Sequence, residues 1–551
     1  MDDKDAASSS YAGRWVARLR GRIIAQGGTP ELARRAAKSS RHKENPEIIY
    51  MPAIFSLHPL VDKVREVLPD EEIYLVGGAV RDMLLNRISP DLDFAAASNG
   101  ISLARKVANA LNADFVALDE ERGTGRVLTI QENGARIILD FATYRGKDLD
   151  ADLRGRDFTI NALAFDLRSQ SILDPLEGGQ DIRAKLIRAC SPASLTDDPV
   201  RILRAIRQAA AFGFRIEKET RELMKQAAGQ IGRVSPERQR DELFKMLNGP
   251  KPDACIRALE MLDVFPYLLP ELSAIKGVEQ SEPHVHDVWA HTLAALQHLE
   301  NILSALAIGY SADKTNDLFT GLLTLRIGRY REQLAEHFSQ ALNPERSLRA
   351  LLFFTALYHD VQKPETKTID ETGRIRFFDH DVQGAKIAAS RAEALHLSND
   401  EVDRVKTIIA NHMRFHFFTS RMEAEKKEPS RKAMYRFFRD SGEAGIDLIL
   451  LGLADLRGTH AHTLTQANWT SALDVARILL ENYFEKPQET IAPPRLLNGH
   501  ELMRDLNLES GPAIGQLLEA IREEQAIGKI ETREQAFTFA RAWMQDNEEK
   551  A

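Results

Sequence analysis

Apolar and polar positions divide the chain into two parts with different periods. Between residues 51 and 185, short apolar runs alternate with helical patterns, which indicates strands mixed with helices. The clearest run, Ile73–Val76, predicts a buried strand, and the two glycines after it predict a turn into a helix from Val80 to Leu85. From about residue 250 onward, apolar residues recur every three or four positions, which predicts an almost entirely helical region.

The first part also contains a predicted hairpin and a predicted acidic strand. Residues 127–130 and 136–140 predict two strands joined by an Asn133-Gly134 turn, a dipeptide that favours hairpins. Asp91 and Asp93 lie two apart on another predicted strand, so both carboxylates are expected to point the same way. Because parallel carboxylates repel each other, a fold that keeps them side by side usually holds a cation between them.

Composition and charge narrow the class of protein. The chain has 551 residues, so three or more domains are expected. No apolar run approaches the roughly 18 residues of a membrane span, and the charged start lacks the apolar core of a secretory signal, so a cytoplasmic protein is expected. Cys190 and Cys255 are the only cysteines, which argues against a disulfide framework and a cysteine-based zinc site. The formal net charge of -8 means that any nucleic-acid binding must use local basic patches.

The first fifty residues are rich in serine and arginine. Acidic residues barely oppose the basic ones, which are Arg14, Arg18, Arg20, Arg22, Arg34, Arg35, Lys38, Arg41 and Lys43. The segment is either a basic arm that touches RNA phosphates or a disordered tail with one short helix around Trp15 to Ile24. The lack of sustained periodicity favours a disordered extension over residues 1–50.

The stretch from Gly77 to Asp82 predicts a site for an anion. A strand, a glycine turn and a helix N-terminus present bare N–H groups and the positive end of the helix dipole, and Arg81 adds a positive charge. Together with Asp91 and Asp93, this turn favours a nucleotide held with Mg²⁺. The alternative is an ordinary turn followed by a solvated loop, since short motifs match often by chance. The motifs downstream favour the nucleotide site.

A second polar block predicts a site that reads the edge of a base. Pro199 behind an aspartate cap, Asp198, predicts a helix N-terminus. Asp198 and Arg201 are three apart, and a carboxylate beside a guanidinium matches the amino donor and ring acceptor of cytosine or adenine. Arg204 and Arg207 follow on neighbouring turns, in reach of a triphosphate or an RNA backbone. The alternative is a helix cap with an ion pair.

These motifs resemble a known family. Residues 77–82 followed by 91–93 are similar to the signature of class II tRNA nucleotidyltransferases and bacterial poly(A) polymerases, and the similarity continues in order from residue 73 to about 540. The resemblance implies an α+β fold, with a small mixed-sheet, polymerase-β-like head followed by an all-helical neck, an HD-type body and a tail. The implied parts are the extension (1–50), a catalytic head (51–185), a base-selecting neck (186–250), an HD-type metal domain with an insert at about 311–350 (251–480) and a helical tail that can contact tRNA (481–551).

The resemblance assigns three further residues to the nucleotide. Arg156, Asp157 and Asn161 match a block that contacts the ribose and phosphates, although Gly155 replaces the first arginine of that block. Asp140 matches a third acidic position, where it either supports the metal pair or is only an acid at the end of a strand. The family has a flexible loop before this block, and that loop bears on the switch from adding C to adding A. The corresponding segment is short here, which leaves the full product open.

A second constellation resembles an HD-type metal phosphohydrolase domain. Histidines and aspartates at widely spaced positions on helices can bind one or two divalent cations. The resemblance implies a first ligand set of His291, His359, Asp360 and Asp455, completed by His380 and His412. The implied ion is Ni²⁺, Mn²⁺ or another divalent transition metal. Gln362 stands where the family has a glycine, which can crowd the site and leaves turnover open. The alternative is a set of satisfied core histidines.

The sequence as a whole predicts a Mg²⁺-dependent nucleotidyltransferase that adds CCA, or part of it, to the 3′ end of tRNA from CTP and ATP. Asp91 and Asp93 are its expected catalytic and metal-binding residues, and Gly77, Gly78 and Arg81 its triphosphate cradle. The alternatives are a poly(A) polymerase, an enzyme that adds only CC or only A, and an HD-type phosphohydrolase with a nucleotide-binding head. No membrane partner is expected, and the oligomeric state stays open.

Overall fold

The computed structural model divides the chain into two compact units, Met1–Val234 and Ser235–Ala551. The described residues are 11–39, 44–51, 57–131, 134, 136–311, 317–344, 346–507 and 509–548. Within these ranges, none of the helices is both long enough and apolar enough to cross a membrane.

The N-terminal segment is a small β-sheet, which corrects the prediction of a disordered tail with a helix near Trp15. Its elements are β1 (Arg14–Leu19), β2 (Arg22–Gly27), α1 (Pro30–Ser39) and β3 (Glu47–Met51), with the strands antiparallel in the order β2-β1-β3. Arg20 and Gly21 both have positive φ and make the two-residue turn between β1 and β2. This Arg-Gly pair between two runs rich in β-branched and aromatic residues could have predicted the hairpin. Residues 1–10 and 40–43 of the predicted extension lie outside the described residues.

Side-chain contacts fasten this sheet to the rest of the first unit, which explains why the segment is ordered. Nε1 of Trp15 donates to the carbonyl of Ile172 at 3.1 Å, and the amide of Ile172 donates to the hydroxyl of Tyr50 at the same distance. The guanidinium of Arg14 lies 2.6 Å from the carboxylate of Glu177. These partners are far apart in sequence, so the local pattern did not reveal them.

A seven-stranded mixed sheet forms the centre of the first unit, as the resemblance implied. Its strands are β4 (Ile73–Val76), β5 (Asp91–Ala96), β6 (Asp114–Asp119), β7 (Thr124–Ile130), β8 (Arg136–Thr143), β9 (Ala164–Asp166) and β10 (Ile172–Leu173). They lie in the order β10-β9-β4-β5-β8-β7-β6, and only β5 and β8 run parallel. The predicted strand over residues 73–76 and the predicted hairpin of β7 and β8 are confirmed, although Asn133 of the hairpin turn lies outside the described residues.

The alternation of β5 fixes the direction of its two acids. Leu92 and Phe94 are buried, and the Phe94 ring stacks on Phe141 of β8 with 4.8 Å between ring centroids. The side chains between and before them, Asp91 and Asp93, therefore point to the other face, where both residues are exposed. The hydrophobic core thus holds the carboxylate pair in one orientation.

Short helices cover the sheet and lead out of it. They are α2 (Pro59–Val67), α3 (Gly78–Leu84), α4 (Gly100–Leu111), α5 (Leu149–Arg154), α6 (Gly178–Ala184), α7 (Ser194–Asp197), α8 (Arg201–Phe212) and α9 (Lys218–Ala227), with a two-stranded parallel ladder of β11 (Leu186–Ile187) and β12 (Arg215–Ile216). Helix α8 begins at Arg201 rather than at Pro199, and its N-cap, Val200, makes no side-chain cap bond. The predicted aspartate cap is therefore wrong, because Asp198 lies in extended backbone two residues before that N-cap.

The second unit is almost entirely helical, as predicted. Its helices are α10 (Pro236–Asn248), α11 (Pro252–Met261), α12 (Phe265–Leu268), α13 (Val288–Ala305), α14 (Leu318–Ile327), α15 (Arg331–Ser339), α16 (Leu348–Tyr358), α17 (Lys363–Thr366), α18 (His380–Ala394), α19 (Asn399–Asn411), α20 (Met413–Glu425), α21 (Arg431–Ser441), α22 (Ala444–His460), α23 (Gln466–Phe484), α24 (Pro487–Thr490), α25 (Gly499–Leu506), α26 (Pro512–Ala526) and α27 (Arg533–Glu548). A small hairpin of β13 (Lys367–Ile369) and β14 (Ile375–Phe377) interrupts them. Helices α13 and α22 pack closely, since a Cβ atom on Gly458 would lie 3.2 Å from the amide nitrogen of Ala295.

Candidate active site and metal centre

A glycine turn joins β4 to α3 in the first unit. Gly77 has a φ of 73°, in the left-handed region that favours glycine, and α3 begins directly after it at Gly78. A Cβ atom on Gly77 would lie 2.9 Å from Nη1 of Arg156 and 3.5 Å from Oδ2 of Asp93. The turn therefore brings a helix start, an arginine and one of the paired acids to one place.

The carboxylate pair has a third acid beside it. Asp93 of β5 pairs with Asp140 of the parallel strand β8. Protein atoms around the Asp93 carboxyl desolvate it and raise its pKa, and the charges of Asp140 and Asp91 raise the pKa further, against the effect of Arg156 and Arg126. Part of the Asp93 surface stays accessible to solvent all the same. Accessible, mutually repelling carboxylate oxygens are the hard donors that Mg²⁺ prefers, so Asp91 and Asp93 fit this ion.

Asp140 lies within β8, not at its end, and an arginine that the sequence did not single out holds its carboxylate. Nε and Nη2 of Arg126 lie 2.8 Å from Oδ1 and Oδ2 of Asp140, the two-pronged geometry of a strong ion pair. Arg126 faces Asp140 across the antiparallel ladder of β7 and β8. Both carboxylate oxygens of Asp140 are thus engaged by protein, which distinguishes it from Asp91 and Asp93.

The two residues expected to read the base are tied to the loop before them. Arg201 donates from Nη1 to the carbonyls of Arg156 and Ser194, at 3.1 and 3.2 Å, and from Nη2 to the carbonyl of Gly155, at 3.0 Å. Its Nε lies 3.9 Å from Oδ2 of Asp198. Arg156 is itself fixed by the buried Asp152, with Nη2 2.9 Å from Oδ2. These bonds set the plane of the Arg201 guanidinium next to Asp198.

Asp157 and Asn161 are buried and bound to each other. Nδ2 of Asn161 donates to Oδ1 of Asp157 at 2.9 Å, and Nε of Arg204 donates to Oδ2 at 3.0 Å. Burial favours a higher pKa for Asp157, but Arg204 and the hydrogen bonds from Asn161 and the Phe158 amide hold it below its ordinary value. The charge of Arg204 is therefore directed at Asp157 in this structure.

Arg81 lies beside the glycine turn and within the protein. A Cβ atom on Gly78 would lie 3.4 Å from its Nη2, so the guanidinium charge flanks the turn as expected. Nη1 donates to Oδ1 of Asn161 at 2.7 Å, and Nε donates to Oδ1 of Asp82 at 2.9 Å. Burial lowers the pKa of Arg81, and the nearby charge of Arg207 lowers it further, while Asp82 opposes both effects.

The second unit brings all six HD-type residues together. His291, His359 and Asp360 form one buried group, and Asp360, His380 and His412 form another, so Asp360 is shared. Nε2 of His291 lies 3.3 Å from Nε2 of His359, and Nε2 of His380 lies 3.3 Å from Nε2 of His412. Asp455, on α22, completes the first group with Oδ1 2.8 Å from Nε2 of His291.

Backbone carbonyls fix the proton positions of three of these imidazoles. Nδ1 of each ring lies 2.7 Å from the carbonyl three residues earlier, for His359 (Ala356), His380 (Phe377) and His412 (Ile409). A carbonyl only accepts, so Nδ1 carries a hydrogen and Nε2 of a neutral ring carries a lone pair. The lone pairs of His380 and His412 then face each other, an arrangement that a cation between them stabilises.

Buried oxygen atoms support the same conclusion. Oδ2 of Asp360 and Oδ1 of Asp455 are buried and accept no hydrogen bond of normal geometry from the described part of the chain. Buried carboxylate oxygens need positive charge or donors beside them, and here Nζ of Lys363 lies 2.7 Å from Oδ2 of Asp360 and Nε2 of His291 lies 2.8 Å from Oδ1 of Asp455. A divalent cation is a second way to supply that charge. The imidazole nitrogens and carboxylate oxygens together are a donor set for a divalent transition metal.

The pKa values of two histidines indicate how the charge of the buried carboxylates in this cluster can be balanced. Burial lowers the pKa of His412 to about 3, so its ring is neutral at pH 7 and offers a lone pair. Burial also favours a lower pKa for His359, but the carboxylates of Asp360 and Asp455 outweigh it and raise the pKa to about 10. A proton on His359 is one way to balance the buried acids, and a divalent cation is the other.

Family models match three stretches of the chain. A model described as the poly A polymerase head domain matches residues 73–188, one described as a probable RNA- and SrmB-binding site of polymerase A matches residues 213–276, and one described as an HD domain matches residues 324–438. These stretches contain the glycine turn with its acids and most of the histidine cluster.

Whole-length relatives decide the family. The chain is 30% identical over 487 residues to a CC-adding tRNA nucleotidyltransferase of Thermus thermophilus, with 87% of this chain and 96% of that protein covered. It is 31% identical over 481 residues to an A-adding tRNA nucleotidyltransferase of Deinococcus radiodurans, with 86% and 95% covered. The chain belongs to the class II tRNA nucleotidyltransferase/poly(A) polymerase family. It is a nucleotidyltransferase of the CCA-adding type, and the two relatives are named for different activities.

Solved structures of tRNA nucleotidyltransferases share the fold. A CCA-adding enzyme in complex with CTP superposes with a TM-score of 0.57 at 21% identity, covering 88% of this chain and 96% of that one. The Thermotoga maritima CCA-adding enzyme complexed with tRNA gives a TM-score of 0.51 at 21% identity, covering 88% and 94%. The nucleotidyltransferase head and the helical region that follows it are thus both present in known structures.

Two residues at the HD-type cluster of this nucleotidyltransferase were assigned no role from the sequence. Nζ of the buried Lys363 lies 2.7 Å from Oδ2 of Asp360, and Nε2 of His416 lies 2.6 Å from Oδ2 of Asp455. Lys363 follows Asp360 by three residues, and His416 follows His412 by four, which are helical spacings. That spacing was the available signal. Each of the two side chains orients a carboxylate of the cluster.

The ion pair of Arg126 and Asp140 leads to a prediction about the nucleotidyltransferase head. We expect Asp140→Asn to reduce nucleotide incorporation about tenfold, because it leaves Arg126 uncompensated beside Asp91 and Asp93, where it competes with a cation. The double variant Arg126→Gln/Asp140→Asn removes both charges and should return to within about threefold of wild type. Incorporation assays over a Mg²⁺ titration measure both. If the double variant stayed as impaired as Asp140→Asn, Asp140 would be a metal ligand instead.

Proposed function

We propose that this protein extends the 3′ end of tRNA with nucleotides from CTP, by a Mg²⁺-dependent reaction that needs no nucleic-acid template. The observation that carries the proposal is the meeting of the Gly77 turn, Asp93 and Arg156 within a few ångströms, next to Asp198 and Arg201. Relatives that match nearly the whole chain are named as tRNA nucleotidyltransferases, and similar structures contain CTP, ATP or tRNA.

The residues of the head divide the work of phosphoryl transfer. Asp91 and Asp93 would hold Mg²⁺, which would supply activation of the attacking hydroxyl and a positive charge for the triphosphate. The backbone of the glycine turn binds the phosphates, with Arg81 and Arg156 as flanking positive charges. The terminal hydroxyl of the RNA is the nucleophile, and pyrophosphate leaves. Positioning and charge do most of this work, since the protein forms no covalent bond to the nucleotide.

The selection of the base falls to Asp198 and Arg201. The carboxylate accepts from an exocyclic amino group, and the guanidinium donates to a ring nitrogen, a pattern that cytosine and adenine offer and that guanine and uracil do not. The carbonyls of Gly155, Arg156 and Ser194 hold the guanidinium plane, so a base of the wrong polarity cannot simply rotate it away.

We further propose that the product is CC rather than CCA. Only residues 144–148 connect β8 to α5. In this family, a flexible loop in the same region bears on the switch from adding C to adding A. Both ends of this connection are pinned, because the amide of Arg145 donates to Oδ1 of Asp152 at 3.0 Å and Asp148 caps α5. A short, pinned connection has little freedom to reshape the base site after the second C. The Thermus thermophilus relative is named as CC-adding, which supports this product, whereas the Deinococcus radiodurans relative is named as A-adding.

Sequencing the products tests this proposal. We expect tRNA that lacks its 3′ end to gain two cytidines from CTP, and to gain no more when ATP is added. A tRNA that already ends in CC is the matched substrate control, and it should stay unchanged with ATP. Addition of A to that control would show full CCA or A addition, and a long tail from ATP alone would show a poly(A) polymerase. Failure to extend any of these substrates would remove the proposal.

The HD-type cluster supports a second activity, hydrolysis of phosphate esters with a divalent transition metal. Its support is the set of buried imidazoles and carboxylates that meet around Asp360. When bound, the metal supplies a Lewis acid and an activated water. His291, His359, Asp360 and Asp455 would hold one ion, and His380 and His412 would hold a second with Asp360.

A further inference from the structure

Helix α8 presents one stripe of side chains to the catalytic part of its own unit. Arg201, Arg204, Gln208 and Phe212 are spaced by three, four and four residues, so they follow one face of the helix. Arg201 contacts the loop at Gly155, Arg204 contacts Asp157, and the two residues further along lie beside Arg81 and Asn161. The first two were expected at the nucleotide, whereas the last two belong to none of the motifs that the sequence revealed.

Gln208 closes a hydrogen-bond chain that leads to the glycine turn. It is 2% exposed, and its Oε1 accepts from Nδ2 of Asn161 at 3.1 Å. The same Nδ2 donates to Asp157, and Oδ1 of Asn161 accepts from Nη1 of Arg81 at 2.7 Å. The side chain of Asn161 is therefore fully engaged by protein. It links the middle of α8 to the helix that starts at the turn.

Phe212 makes a second link to the same arginine. Cζ of Arg81 lies over its ring, 4.3 Å from the centroid, and Cζ of Arg87 lies 5.6 Å from it. Arg81 is thus held by Asn161 on one side and by an aromatic face on the other. Both holds come from the stripe of α8, directly or through one residue.

We propose that Gln208 and Phe212 are positioning residues for nucleotide selection, which fix the Arg81 side of the triphosphate turn relative to the base-reading end of α8. The inference rests on the proposed function, because it needs Asp198 and Arg201 to read the base. A base that fits leaves α8 in register with α3, so the triphosphate and the acids of β5 stay aligned. A base that does not fit displaces α8, and the stripe passes the displacement to Arg81.

This coupling has a distinct kinetic signature. Side chains that only align the reacting groups change the turnover number more than the Michaelis constant, because substrate binding itself persists. Misplacement by about 1 Å can cost about 100-fold in rate, so a loosened stripe needs to move very little. If the correct base no longer aligns the reacting groups, the ratio of kcat/KM between the correct and a wrong nucleotide also falls.

The test compares Phe212→Leu with Phe212→Tyr and Phe214→Leu in the full chain. We expect Phe212→Leu to lower kcat for CTP about tenfold, to change KM for CTP less than about threefold, and to lower the CTP-over-UTP ratio of kcat/KM about tenfold. Phe212→Tyr keeps the aromatic face and should retain both values. Phe214→Leu makes the same substitution at a buried ring that packs against Phe212, with 5.7 Å between the ring centroids, so it controls for loosened packing around that ring. It should lower the melting temperature without changing the ratio.

Gln208→Leu gives an independent second variant, since it removes the acceptor and keeps the volume. Gln208→Leu should also lower the CTP-over-UTP ratio of kcat/KM, and this expectation holds even if Phe212→Leu does not fold. The inference is overturned if folded Phe212→Leu or Gln208→Leu keeps the wild-type ratio, or if Phe214→Leu lowers it equally. A wild-type protein that incorporates no cytidine would overturn the proposed function itself, and that result is distinguishable because no variant is needed to see it.

Discussion

Asp93→Asn should abolish nucleotide incorporation and leave the protein folded. The substitution removes a negative oxygen next to the glycine turn, where Oδ2 lies 3.5 Å from the position of a Cβ on Gly77. Loss of one such metal-binding charge is expected to cost about 1,000-fold or more in rate, since transition-state charge is then left unbalanced. Asp91→Asn should behave alike, because both acids point to the same face of β5. Extension of 5′-labelled tRNA with CTP measures the loss.

The melting temperature of Asp93→Asn should rise or stay unchanged, although its activity is lost. Burial raises the pKa of Asp93 and the charges of Asp140 and Asp91 raise it further, so neutralising this carboxyl removes the desolvation and the repulsion that oppose its charge. Asp114→Asn is the matched control, an exposed acid on β6 of the same sheet, and it should retain full incorporation. Near-normal extension by folded Asp93→Asn would refute the assignment of this acid. A fall in melting temperature without loss of activity would mean that the pair is structural.

Local signals account for the part of this site that could be predicted. The strand at Ile73–Val76 ends at a glycine with positive φ, and the alternation of Leu92 and Phe94 with Asp91 and Asp93 sets which face is acidic. Each of these features depends on residues within a few positions of one another. A period of two predicts the acidic face, and the glycine pair predicts the turn. The six HD-type residues could be named for a different reason, since they follow one another in the order that the resemblance to HD-type domains implies.

Contacts between distant segments account for what could not be predicted. Arg126 meets Asp140 only because β7 and β8 pair in one register, and a shift by one residue would turn their side chains to opposite faces. Phe212 meets Arg81 across more than a hundred residues of sequence. The N-terminal strands were missed because arginines interrupt their apolar residues. Their burial depends on Trp15 and Arg14 reaching the head.

The two polar clusters differ in how they tolerate an absent cation. Asp91 and Asp93 are open to solvent, which can hydrate them, and Arg126 supplies a nearby positive charge. The acids of the HD-type cluster are buried, and without an ion Lys363 and the protonated imidazole of His359 balance their charge. A buried cluster of this kind pays more for losing its ion, because water cannot replace the ion. The second unit should therefore retain its metal through purification better than the head does.

His359→Ala should prevent the binding of at least one metal ion at this cluster and abolish the proposed phosphohydrolase activity. The change deletes the imidazole whose Nε2 lies 3.3 Å from Nε2 of His291 and 3.2 Å from Oδ2 of Asp360. Loss of a ligand should weaken metal binding about 100-fold or more. Metal content by mass spectrometry, and hydrolysis of cyclic phosphates and nucleotides with Ni²⁺ or Mn²⁺, measure the two losses. His462→Ala removes an exposed imidazole and should change neither. CTP incorporation should persist in both variants, because Asp91 and Asp93 lie in the other unit. A wild-type protein without bound metal would mean that the histidines are hydrogen-bonded core residues, stabilised by the proton on His359 rather than by an ion. Equal, non-zero metal content in both proteins would mean that His359 is not a ligand.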